Sequence, residues 1–241
     1  MLSYFKGVAD CLAGFRIITR AGLRRFVVLP LLINIVLFAT AIYFFSKQID
    51  IWVEQLLPAW LSFLEYVLWP LFAIMLFIIV FYSFTLLANI IAAPFNSLLA
   101  ARVEASIGGR AAETMNAEGF WKIVIRSIRS ELSKLLYFIK WFIPLVILTF
   151  IPGINIIAPL AWFSFASWSF ALEYTDYTLG NHEQLFPEVR EFNRNNRMCS
   201  LGFGSVVFML TSIPILNFIA MPVAVCGAAR MVTKIKEGQN S

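Results

Sequence analysis

Residues 141–172 read WFIPLVILTFIPGINIIAPLAWFSFASWSFAL, without one charged side chain. The run is about 32 residues long, whereas an α-helix crosses the hydrocarbon core of a bilayer in about 20 and two crossings need about 40. A break stands in its middle, Ile151-Pro152-Gly153-Ile154-Asn155. Proline removes a backbone donor and glycine permits a tight turn. The economical solution is two short helices that meet at mid-depth and return to the face they started from, a re-entrant hairpin whose polar backbone groups stay paired within the protein. Residues 198–229 repeat the arrangement over about the same length, with a break at Ile213-Pro214-Ile215-Leu216-Asn217.

The rest of the chain agrees with a membrane setting. Of 241 residues, 60% are hydrophobic and 14% charged, and the mean hydropathy is +0.80. A soluble domain is about 45–50% apolar and about 25% charged, so polar surface is too scarce here to cover a water-soluble globule. The fold class expected is therefore an all-α integral membrane protein forming one membrane domain over 1–241. Residues 26–45 are uncharged and long enough for a first spanning helix. Residues 66–101 are uncharged too, about 54 Å if wholly helical, so this second span must tilt, protrude or kink, with Pro94 the natural place. Ala88, Ala92, Asn96 and Ala100 form a small-residue seam at its end. Residues 102–140 turn amphipathic and basic and read as a cytoplasmic helical segment, with Gly108-Gly109 as a break.

Ahead of the first span, Leu2, Phe5, Val8, Leu12, Phe15 and Ile18 recur at helical spacing, as in a helix (1–20) lying in the membrane interface. Lys6, Asp10, Arg16 and Arg20 interrupt that stretch, unlike a signal peptide, so it is expected to be retained. Lys6, Arg16, Arg20, Arg24 and Arg25 precede the span, while residues 46–65 are acidic and aromatic. The positive-inside rule puts the former in the cytoplasm. The net charge of +5 thus reads as membrane anchoring, not nucleic-acid binding.

Metal and cofactor chemistry is not expected: one His and three scattered cysteines leave too few ligands. Nucleotide-binding loops are missing, and the serines at 164, 167 and 169 have no G-x-S-x-G around them. They suit tight packing between Trp162 and Trp168. The chain is accordingly not expected to be an enzyme. Gly22-Leu23-Arg24-Arg25 offers different chemistry: unpaired N–H groups at a helix start, a glycine that admits a ligand and two guanidinium forks together suit a tetrahedral dianion. The same arginines equally suit plain positive-inside anchors. Asn155 and Asn217 follow the hairpin prolines and are placed to cap the returning helices or to line an anion pathway. Asn89-Ile-Ile-Ala92-Ala-Pro94 is a near-copy of both turns and adds Asn89 to that set. Glu173, Asp176 and His182 are candidates for a proton relay.

Gly22-Leu-Arg-Arg-Phe26, Leu68-Trp-Pro70, residues 89–96, Phe150-Ile-Pro-Gly153, Asp176-Tyr177 with Asn181-His182, and residues 213–227 resemble the CysZ sulfate permease family of bacterial inner membranes, nearly end to end. The resemblance implies proton-linked uptake of sulfate for cysteine synthesis by a multi-pass homo-oligomer, with two spanning helices and two partly inserted hairpins in contact with lipid. It also implies a sulfate site at Gly22, Leu23, Arg24 and Arg25. Two spans and two half-depth hairpins bury little polar lining in one chain, so the path is expected to need neighbouring subunits. Thr178 stands where relatives tend to have Pro, and Asn155 where they tend to have Gly, which counts against direct coordination by Asn155. The rival expectations are a non-transporting protein that shapes or scaffolds the membrane, and an enzyme acting on lipid head groups.

Overall fold

The computed structural model describes residues 2–20, 23, 24, 95–108 and 120–239 and isolated helical positions between 28 and 75; at 120–129, 214, 215, 218 and 239 it describes the backbone alone. Two compact units divide the chain: Met1–Arg24 with Asn96–Ser241, and Arg25–Phe95. Among the described residues every regular element is helical.

In the second unit, Val28, Leu32, Ile35, Val36, Tyr43 and Phe44 are helical and between 48% and 65% exposed. Leu71, Ile74 and Met75 are likewise helical and more than half exposed. Most of the expected spans 26–45 and 66–101 lies outside the described residues, as does Asn89.

The first unit is built from α1 (Leu2–Ile18), α2 (residues 95–106, of which 96–106 belong to this unit), α3 (Phe120–Phe150), α4 (Ala158–Asn181), α5 (Phe186–Asn195), α6 (Arg197–Ser212) and α7 (Pro214–Gln239). Small residues decide how closely the first, sixth and seventh helices approach. α1 buries Gly7, Asp10, Cys11, Gly14 and Ile17 against α6 and α7, and leaves Leu2, Phe5 and Leu12 of its apolar stripe exposed. A Cβ on Gly7 would fall on the Cys199 carbonyl, and one on Gly202 on the Tyr4 carbonyl, so backbone meets backbone where α1 crosses α6. Ser167, 1% exposed, supplies the backbone carbonyl against which Gly204 packs, whereas Ser164 is exposed and donates to Leu160 O at 2.8 Å. Leu172, Leu179, Phe186, Val189 and Val232 then close a core shared by α4, α5 and α7.

Both proline breaks are helix–helix corners. Between α3 and α4 the chain turns through Gly153 at φ +85, a conformation that other L-residues adopt only under strain, and through a 3-10 turn at Asn155–Ile157. The indole Nε1 of Trp162 donates to Thr149 Oγ1 at 3.0 Å, which ties the two arms together just below the tip. Between α6 and α7 the corner is Ile213, in extended conformation.

Among the described residues two helices are long and apolar enough to cross a bilayer, Ser130–Phe150 and Asn155–Asn181, and both belong to the first hairpin. Their apolar stretches are only 6% and 22% buried, unlike the core helix of a soluble domain. Phe150 is 79% exposed and Ile156 81%, so the tip is a bare apolar wedge. The expected boundary between residues 102–140 and 141–172 is not a structural one: α3 runs through it without interruption, Pro144 included. Loss of charge changes what surrounds a helix, whereas ending the helix takes a turn such as Pro152-Gly153.

Candidate functional site

Leu23 and Arg24 sit in the turn that follows α1. The Arg20 N–H bonds Ile17 O at 3.0 Å and the Leu23 N–H bonds Arg20 O at 3.2 Å, wrapping the chain under the helix end. Leu23, 7% exposed, anchors the turn. Exposed Arg24 donates from Nε to Thr19 O at 2.9 Å, and Thr19 Oγ1 donates to Arg16 O at the same distance. A guanidinium at this place complements the partial negative charge of the helix C-terminus and is held by it. Gly22 and Arg25, and the helix start whose N–H groups belong to the anion argument, lie outside the described residues.

The expected proton relay divides into two clusters. In the first, Lys134 of α3 is buried to 10% side-chain exposure, with Nζ at 3.0 Å from Asp176 Oδ2, 3.2 Å from Glu173 Oε2 and 3.2 Å from Glu131 Oε1. An ammonium has three protons to donate, and the i, i+3 spacing within each helix aims one carboxylate from α3 and two from α4 at the same point. Glu173 and Asp176 are thus brought together, by a lysine.

In the second, His182 closes α4 with Nε2 at 2.8 Å from Glu104 Oε1 of α2. The Glu104 side chain is 4% exposed, and its other oxygen has no hydrogen-bond partner among the described residues. The neighbouring Asn181 donates to Ser97 O at 2.8 Å, fastening α4 to α2 beside that pair. Burial pushes Lys236 of α7 below the usual lysine range, and the Glu104 charge works against that shift. A third buried ion pair ties α1 to α7: Asp10 Oδ1 lies 3.1 Å from Arg230 Nε and 3.4 Å from Lys234 Nζ.

Neither hairpin asparagine caps a helix with its side chain. The residue before α4 is Ile157, with no side-chain cap, and Asn155 takes part through its backbone, its carbonyl accepting from the Ala158 N–H. Pro159 stands at the second helical position and lacks the N–H that a capping oxygen would seek. Asn217 lies inside the first turn of α7, past the cap position, and donates its own N–H to Ile213 O at 2.9 Å. Both asparagines are exposed.

Lys134, Glu104 and Asp10 are the residues that reading the sequence for chemistry passed over. Two of them, Lys134 and Asp10, carried a signal. Glu131-x-x-Lys134 is an i, i+3 pair at the edge of an apolar run, and Asp10 lies among the small residues that mark a packed helix face.

A profile of the family described as "EI24: Sulfate transporter CysZ/Etoposide-induced protein 2.4" matches residues 11–222. The chain belongs to this family. This CysZ-family chain is 42% identical over 222 residues to the "Sulfate transporter CysZ" of Salmonella typhimurium, covering 90% of the chain and 88% of the relative. It is 40% identical over 229 residues to the protein of the same name from Pectobacterium atrosepticum, covering 93% and 83%. The matched residues 11–222 contain Leu23, Arg24 and both the Lys134 and the His182–Glu104 clusters. The family read from the sequence motifs is thereby the family of the chain.

Proposed function

We propose that this CysZ-family protein is a sulfate transporter of the bacterial inner membrane. The observation that carries the reading is identity of 42% over nine-tenths of the chain to a protein named for sulfate transport, with no large insertion needed to cover 88% of that relative. A family described by transport also favours a carrier or channel over an enzyme.

Sulfate is gathered at Gly22, Leu23, Arg24 and Arg25. In support, the hydrogen bond from Arg24 to Thr19 O fixes one guanidinium edge, so that less freedom is lost when an oxyanion engages the rest. The two hairpins dip into the membrane from one face. The charge-free part of α3, from Trp141 to Phe150, spans about 15 Å, half of a hydrocarbon core of about 30 Å, and the tip beyond it is apolar. Helix α1 lies in the interface with Leu2, Phe5 and Leu12 toward lipid. Two half-depth hairpins offer little polar lining, so the path for the anion is completed in a homo-oligomer, past Asn89, Asn155 and Asn217. Coupling to protons runs through His182 and Glu104, with Glu173 and Asp176 held by Lys134. The sulfate taken up serves cysteine synthesis.

The deciding experiment is uptake of radiolabelled sulfate by vesicles containing the purified protein, with and without an imposed pH gradient. Transport is expected in both and faster with the gradient. Vesicles that take up no more sulfate than protein-free ones refute the reading. The exposed wedge at Phe150 and Ile156 also fits a protein that shapes membranes without transporting; for that reading the same vesicles would change size or curvature and carry no flux.

A further inference from the structure

We propose that a cleft between α3, α4 and α5 binds the phosphodiester head group of an anionic phospholipid. The cleft holds about 440 Å³, and among the residues that line it Lys140, Arg190 and Arg194 are cations while none is an acid. Arg190 and Arg194 stand four residues apart on α5, hence on one face of that helix. Lys140 reaches the cleft from α3. The walls are set in advance: the Arg190 guanidinium lies over the Tyr137 ring at 5.1 Å, and the Tyr137 hydroxyl accepts from Trp168 Nε1 at 2.9 Å.

Three features select a lipid over a small oxyanion. Lys140 is the last charge before the charge-free run and Trp141, also in the lining, is the first residue within it. A lysine followed by an indole belongs at the level of head groups, where stems lie in hydrocarbon and polar tips in water. Next, Ile143, Ile147 and Phe150 of α3, all beyond Lys140 in the charge-free run, are 53%, 55% and 79% exposed and share one face, a track for acyl chains leading from the cleft. Finally, a cleft of this volume is of small-molecule size, ample for a phosphodiester with its glycerol and mostly empty around one four-oxygen ion. A zwitterionic lipid would bring its ammonium beside three cations, which sets the preference for a net negative head group. The cleft shares no residue with Gly22, Leu23, Arg24 or Arg25.

The test is native mass spectrometry of the full-length protein in detergent with equimolar phosphatidylglycerol and phosphatidylethanolamine of identical acyl chains. The wild type is expected to retain phosphatidylglycerol preferentially, each cation contributing about fivefold. A variant carrying Lys140→Gln, Arg190→Gln and Arg194→Gln should lose the preference, and one carrying Lys140→Arg, Arg190→Lys and Arg194→Lys should keep it. Circular dichroism checks that both fold. Should the triple glutamine variant fail to fold, Arg194→Gln alone, at an exposed position, is expected to lower the preference about fivefold. Equal retention of the two lipids by the wild type overturns the proposal, as does an undiminished preference in the folded glutamine variants. Millimolar sulfate should not displace the lipid, and stoichiometric displacement would reassign the cleft to a small oxyanion.

Discussion

Lys134 and Asp176 meet at 3.0 Å across the α3–α4 interface, one side chain 10% exposed and the other 20%. Since Glu131 and Glu173 converge on the same ammonium, the lysine offsets the repulsion of three carboxylates as well as joining two helices. Removing it leaves a partly buried cluster of like charge. Lys134→Met is expected to destabilise the protein by about 2–4 kcal/mol, below the full cost of orphaning a buried ion because Glu131 and Glu173 still reach water. Adding Asp176→Asn and Glu173→Gln to Lys134→Met should recover part of the loss. Thermal unfolding in detergent measures both effects, and an unchanged midpoint for Lys134→Met would show that the cluster is not a structural tie.

The pairing of His182 with Glu104 at 2.8 Å leads to a functional prediction. An imidazole has two ring nitrogens that can hold or pass a proton, and here one faces a carboxylate that is nearly shut off from solvent. His182→Gln keeps a hydrogen-bond donor for Glu104 and removes the imidazole that could pass a proton. Sulfate binding at constant pH should be unaltered, while the stimulation of uptake by an imposed pH gradient falls severalfold. Gradient stimulation equal to that of the wild type would take His182 out of the coupling.

At the anion site the arginine chemistry is separable from its charge. Arg24→Ala with Arg25→Ala should abolish sulfate binding and uptake and leave the protein folded. Arg24→Lys keeps the charge but loses the fork and the Nε bond to Thr19 O, so a large loss of affinity is expected from it too. Affinity within a factor of about two of the wild type would mean that Arg24 acts only by long-range attraction.

Much of this architecture was legible because lipid imposes few solutions. The charge-free runs, the turn at Pro152-Gly153 and the corner at Pro214 announce two helical pairs, and the structure bends at those places. Helix ends on the charged side were less legible. Lys140 marks a change of environment while the helix runs on, so α3 cannot be divided where its charges stop. The Lys134 cluster was hidden for another reason: its partners lie on different helices, and their meeting depends on the register of α3 against α4, which no local pattern encodes. Asn155 looked like a cap because it follows a proline and a glycine, yet the 3-10 turn moved the start of α4 beyond it.

Helix contacts at glycine give a prediction with opposite signs at two positions. A Cβ on Gly204 would collide with the Ser167 carbonyl of α4, whereas one on Gly180 meets nothing nearer than Asp176 Oδ1 at 3.9 Å. Gly204→Ala must push α4 and α6 apart and should cost about 1–3 kcal/mol. Gly180→Ala, in open space within α4, should stabilise by about 0.5–1 kcal/mol through lower entropy of the unfolded chain. Melting of the two variants side by side separates close backbone approach from general intolerance of substitution, because only the former predicts that they move in opposite directions.

The depth of the first hairpin can be read by chemical labelling. The native thiols Cys11, Cys199 and Cys226 are 0%, 8% and 0% exposed, so a bulky membrane-impermeant maleimide has little background to react with. Cysteines introduced at Lys140, just before the charge-free run, and at Glu183, just after α4, are at exposed positions and mark the two flanks of the hairpin. If α3 and α4 dip in and return, both react from the same side of sealed, oriented vesicles, and a cysteine at Ile156 in the tip stays unreactive from either side. A tip that labels from the face opposite the flanks would make each arm a full crossing, as the 21 residues of Ser130–Phe150 and the 27 of Asn155–Asn181 are long enough to provide. The exposed apolar surface of the arms is the same in both geometries, so hydropathy cannot choose between them. The charged cluster at Lys134 can: a full crossing by Ser130–Phe150 draws it into hydrocarbon, where holding three carboxylates on one ammonium would leave a net charge of about −2 unless protons are taken up. Half-depth insertion keeps that cluster at the aqueous edge, and labelling of both flanks from one face is therefore the expected result.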